Sequence, residues 1–192
     1  MISKQSVING ILYCGITKEE YNALEPRINQ KNKKMLFVAS LVGTVILLVL
    51  FICSFFLDSI KNNTVLYAVF TGLSLFVFCL NLIKSANRYF VMIMCYFFLG
   101  VVLAFGIVLG TFYMKTGNAT TFCVLLLALP LLFVGKPYRM TTAIILSTIA
   151  FCICAAIAKK DSPKLVSLDI IKTLYLSLSY PWWLIFTTLK PK

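Results

Sequence analysis

Residues 35–57 contain no charge, and about 20 apolar residues are what a helix needs to cross roughly 30 Å of hydrocarbon at about 1.5 Å per residue. Comparable runs recur along the chain, with the charges collected between them. A water-soluble fold does not tolerate that segregation, because a helix apolar on all sides has no face to give to water. The runs are continuous and do not alternate, which disfavours a membrane β-barrel. Composition agrees, with 60% hydrophobic and 12% charged residues against about half and a quarter in soluble domains. The expected fold class is an all-α membrane protein.

Six spans are expected, at about 35–57, 64–83, 89–114, 119–134, 140–158 and 168–189, forming one transmembrane helical bundle over 35–189. The fourth is short, and the sixth is interrupted by Asp169, Lys172, Ser177, Ser179 and Pro181. Residues 1–34 are mostly polar and precede the first run, which is the wrong layout for a cleavable signal peptide. With six spans, one side receives Lys4, Lys18, Arg27, Lys31, Lys33, Lys34, Lys84, Arg88, Lys136, Arg139, Lys190 and Lys192. The other receives Lys61, Lys115, Lys159, Lys160, Lys164 and Lys172. That asymmetry places both termini in the cytoplasm. Lys159 and Lys160 fit this scheme least well.

The leading segment carries a helix start. Thr17 and Glu20 have the spacing of a capping box, with Ile16 and Tyr21 placed as a hydrophobic staple. Pro26 is expected to kink or end that helix near Leu24, leaving a short amphipathic helix on the membrane or a solvated lead-in. Lys31, Lys33 and Lys34 follow, a basic cluster suited to anionic lipid headgroups or simple inner-side anchoring.

Chemistry-bearing residues are sparse. The chain has no histidine, and its six carboxylates are Glu19, Glu20, Glu25, Asp58, Asp161 and Asp169. None is placed deep in a span, so the mark of a proton or ion path is missing. Seven cysteines in this setting read as small hydrophobes, and no metal or cofactor pattern appears. The net charge of +12 is spread over span boundaries, which points to topology and lipid and not to nucleic acid. Gly100, Gly106 and Gly110 offer small faces for close helix contact, and Pro130 predicts a kink.

The segments "EEYNALEPRINQKNKKMLFVASLVGTVILLVLFICSFF", "NRYFVMIMCYFFLGVVLAFGIVLGTF", "ATTFCVLLLALPLLFVGKPYRM" and "SLDIIKT" together resemble the membrane-embedded amino-terminal half of bacterial GGDEF proteins, the diguanylate cyclases. The likeness runs from Ile16 to Thr173. Its most specific positions are Asn32 and Leu36, the block from Phe122 through Pro130 to Phe133, the loop containing Pro137 and Arg139, and Asp169. The resemblance implies a six-span sensor and anchor in a bacterial cytoplasmic membrane, acting as a homodimer. It would serve a cytoplasmic domain that joins two GTP molecules into cyclic di-GMP. No Gly-Gly-Asp/Glu-Glu-Phe occurs in the sequence, and without those carboxylates nothing holds the metal ions or orients the phosphates. The chain as written is therefore not expected to be an enzyme.

Relatives of this kind carry Asp-x-x-Asn-Thr before a smooth last span, where this sequence has Asp169 to Thr173 with Lys172, followed by Pro181, Trp182 and Trp183. One expectation is that residues 174–192 are read out of frame. The alternative is a natural ending, with the tryptophans at the membrane interface. Two other functions stay open: a six-span transport component, such as a vitamin-importer substrate-binding subunit with Tyr67, Asn81, Tyr96 and Tyr113 lining a pocket, and a structural membrane protein without a ligand.

Overall fold

The computed structural model describes residues 13, 16–83, 88–114, 119–134 and 136–188. Lys4, Cys14, Lys84, Lys115, Lys190 and Lys192 lie outside them. The elements are α1 (Lys18–Cys53), α2 (Asp58–Lys61), α3 (Thr64–Leu82), α4 (Arg88–Val108), a π-helical turn (Leu109–Tyr113), α5 (Thr120–Leu132), α6 (Pro137–Ala158) and α7 (Pro163–Thr188). No strand occurs among the described residues.

The start of α1 is the expected capping box: Glu20 N–H donates to Thr17 Oγ1 at 3.2 Å, and Thr17 N–H to Glu20 Oε2 at 2.9 Å. Of the expected kink or end at Pro26, the end is corrected. A single helix of 36 residues, about 54 Å long, passes through Pro26 into the apolar run, so no separate amphipathic helix occurs among the described residues. Pro26 removes the N–H that would pair with the Asn22 carbonyl. Both residues are exposed, so water can take that carbonyl, and contacts of Tyr21 and Asn32 hold the helix on either side of the break.

Among the described residues, four helices are long and apolar enough to cross a membrane: Lys18–Cys53, Thr64–Leu82, Tyr89–Tyr113 and Pro137–Ala158. The two further expected spans differ from these for physical reasons. Helix α5 has 13 residues, about 20 Å, short of a hydrocarbon core. It ends at Leu132, so Pro130, where a kink is expected, stands in its last turn. Helix α7 is long, but Lys164, Asp169 and Lys172 break its apolar run.

Contacts at the helix ends show that successive long helices alternate in direction. The middle of α1, where its apolar run begins, meets the ends of α3 and α5 through Lys33 with Asn81 and Asn32 with Val134. The beginning of α4 meets that of α6 through Met92 and Arg139. At the opposite end, the start of α5, the end of α6 and the first turns of α7 meet through Ala119, Lys159 and Asp169. The end where α1 enters its apolar run is called the near end, and the other the far end.

Helix α4 is the centre of the bundle. Over its most apolar stretch 56% is buried, against 11% in α1, whose Val38, Leu41, Val45 and Val49 face outward. A helix bare on that scale suits a lipid environment and no aqueous one. Small residues let helices approach where packing replaces the hydrophobic effect. A Cβ on Gly106 would sit 3.3 Å from the Phe122 backbone, and one on Gly110 3.2 Å from Ala119 Cβ, whereas Gly100 has nothing within 4 Å. Between α1 and α3, the hydroxyls of Thr44 and Ser74 lie 3.0 Å apart and both reach the Ser40 carbonyl. Phe122 stacks on Phe151 with ring centroids 4.5 Å apart.

Candidate functional site

The far end carries a buried ion pair. Lys159 ends α6 and Asp169 stands two turns into α7; their side chains are 0% and 2% exposed, with Nζ 2.7 Å from Oδ2. The other carboxylate oxygen, Oδ1, accepts the Ala119 N–H at 3.1 Å. One carboxylate thus ties α7 to the end of α6 and the start of α5. Breaking such a pair by removing one partner leaves a buried charge and costs about 3–5 kcal/mol. The π-helical turn belongs to the same corner, because Gly110 within it packs on Ala119. Beside the pair is an open cavity of about 250 Å³, bounded by Thr120, Cys123, Asp169, Lys172, Tyr175 and Leu176. Cys123 Sγ and Thr173 Oγ1, 3.8 Å apart, continue the α5–α7 contact.

The near end is held by amide bonds. The Asn32 carboxamide donates from Nδ2 to Val134 O at 2.7 Å and accepts the Val134 N–H on Oδ1 at 2.9 Å. Val134 follows the extended Phe133 that closes α5, so its peptide has no helical partners and Asn32 supplies both. Asn81 Nδ2 reaches the Lys33 carbonyl at 3.3 Å. Lys136 lies 5.4 Å and 5.6 Å from the ring centres of Tyr13 and Tyr21. Arg139 donates from Nε to the Tyr138 hydroxyl at 3.1 Å and from Nη1 to Met92 Sδ at 2.7 Å.

The positions carrying the family resemblance gather at these two ends and along the core between them. Asn32 forms the near-end clamp, with Leu36 fully buried just above it. Phe133 packs edge-on to Phe98 with centroids 6.3 Å apart. Pro137 is buried at the first position of α6, Arg139 follows in that turn, Phe122 lies in the core, Pro130 is in the last turn of α5, and Asp169 makes the far-end pair. Lys31 and Lys34 are exposed, and Lys33 is half-buried. Tyr67, Asn81, Tyr96 and Tyr113 do not share a cavity: Tyr67 faces Asn63 and Phe105, Asn81 and Tyr96 lie at the near end, and Tyr113 is the last residue of the π-helical turn.

Sequence reasoning missed Lys159 as the partner of Asp169. Its signal was a carboxylate in a largely apolar run, which needs a cation, with Lys159 capping the end of the preceding helix. The partners of Asn32, Lys136 and Arg139 carried no such signal. No group of three or more metal-ligating side chains occurs among the described residues. No protein-family model, curated protein or solved structure matches the chain.

Proposed function

We propose that the chain is an integral membrane sensor and anchor module of six alternating passes, with both ends on the cytoplasmic side of a bacterial membrane. The observation that carries this is the Asp169 linkage. It makes α7 the element that connects the far-end cavity to the near side of the bundle. Whatever disturbs the pair, a ligand in the cavity or a change of charge, acts on the position of α7 relative to α5 and α6. An axial or rotational shift of one helix is a physical output that a cytoplasmic domain can read. The six-pass reading is supported by the alternating helix directions and by the place of α5, which packs against α4, the π-helical turn and α7 and stacks Phe122 on Phe151 of α6. A short span is accommodated by local thinning of the bilayer.

The GGDEF-like pattern favours a diguanylate cyclase as the domain served, working as a dimer. The test is a fusion of the whole chain to a cyclase domain stripped of its own input, followed by measurement of cyclic di-GMP in membranes. Asp169→Asn is expected to change output several-fold at equal expression. Equal output from the unmodified chain, Asp169→Asn and an unrelated six-span anchor would remove the sensor reading.

A further inference from the structure

A cleft of about 110 Å³ opens at the near end, bounded among others by Tyr21, Glu25, Asn29, Tyr96, Lys136 and Arg139. Its charged lining is two cations against one carboxylate. The Arg139 guanidinium meets only neutral groups: the Tyr138 hydroxyl, the Met92 thioether and the neighbouring Tyr96 phenol. Lys136 is held over tyrosine rings. Neither residue makes an ion pair among the described residues. A guanidinium has five N–H donors and a thioether is a weak acceptor, so Arg139 keeps unspent donor capacity.

Two apolar stripes lead away from this cleft. Tyr89, which lines it, continues along α4 into Ile93 and Phe97, all three exposed and four residues apart on one face. Along α6, exposed Tyr138, Ile145 and Ile149 follow the same helical spacing from the residue beside Arg139. The cleft itself lies level with Asn32 and just outside the uncharged run of α1, between exposed Lys31 and Lys34. That is the level of lipid headgroups for a chain inserted in this way.

We propose that the cleft binds the phosphodiester of a membrane phospholipid, with Arg139 and Lys136 as its cations and the acyl chains lying along the α4 and α6 stripes. A phospholipid can use the cations and the stripes together, whereas a free phosphate or phosphomonoester has no use for the stripes. This inference needs the chain to be in a membrane and does not depend on its signalling role.

The test uses the full chain, purified in a neutral detergent and stripped of lipid. It is titrated with short-chain phosphatidylglycerol, with the diacylglycerol of the same chains, and with inorganic phosphate, and binding is read by native mass spectrometry and thermal shift. Two surface cations at about fivefold each give an expected preference of about twenty-five-fold for phosphatidylglycerol over diacylglycerol. Inorganic phosphate is expected to give no comparable protection, and the preference is expected to collapse in K136Q/R139Q. Equal binding of the two lipids by the unmodified chain overturns the proposal, and that comparison stands even where the double variant does not fold. Protection by inorganic phosphate equal to that by the lipid overturns the lipid assignment, and a preference that survives in K136Q/R139Q overturns the choice of residues.

Discussion

The carboxamide of Asn32 satisfies both the N–H and the C=O of Val134, across 102 residues of chain. The first helix and the fifth are thereby fixed to each other at the point where α5 ends. Asn32→Ala leaves both groups of the Val134 peptide without a protein partner, a loss of about 1–3 kcal/mol. Unfolding in mixed micelles is expected to show a drop of that size. Asn32→Asp is expected to lose less, because the Val134 N–H keeps its acceptor. Proteolytic nicking near residue 135 is expected to rise in both.

At the far end, the account rests on a pair and not on either charge alone. Lys159→Met is expected to destabilise by about 3–5 kcal/mol, since it strands Asp169. The double change Lys159→Met with Asp169→Leu removes the stranded charge and is expected to recover most of that loss. A double-mutant cycle under denaturant checks it, and additive losses would show that the two side chains do not interact.

The three glycines of α4 and its π-helical turn predict opposite outcomes. Gly106→Val and Gly110→Val push new atoms into Phe122 and Ala119 at distances of 3.3 Å and 3.2 Å for the Cβ alone. Overpacking of this kind costs about 1–3 kcal/mol. Gly100 has open space, so Gly100→Ala is expected to be neutral or to stabilise by up to about 1 kcal/mol through helix propensity. Thermal denaturation of the three variants side by side separates the cases.

Thr148 is buried at 3% exposure, and its hydroxyl has no hydrogen-bond partner. Thr148→Val keeps the shape and removes an unsatisfied polar atom. The expected change is a gain of about 1 kcal/mol, read as a higher unfolding midpoint; a loss would mean that the hydroxyl does bond in the native membrane state.

How much of this was legible beforehand depends on the range of each interaction. The capping box of Thr17 and Glu20 is local, and its spacing alone announces it. The apolar runs are likewise local, which is why the four long apolar helices agree with the sequence. Pro26 misled because intrinsic propensity favours a break there, while tertiary contacts on both sides of it favour continuity. Asp169 looked like an interruption and Lys159 like a misplaced outer charge; each is explained by the other, and only folding brings them together. The Asn32 clamp joins residues too far apart in sequence for spacing to reveal, and the α4 and α6 stripes acquire meaning only once Arg139 is seen between them.

In the proposed topology six helices pass in alternation and leave both ends of the chain on one side. In a cysteine-free background, the intact chain carrying a single cysteine at position 160 is exposed in whole cells to a membrane-impermeant thiol reagent, in parallel with single cysteines at 31 and 192. The account predicts labelling at 160 and protection at 31 and 192 until the cells are opened. Labelling at 192 in intact cells would contradict it, because an outward end requires an odd number of crossings and removes α5 or α7 from the set of spans.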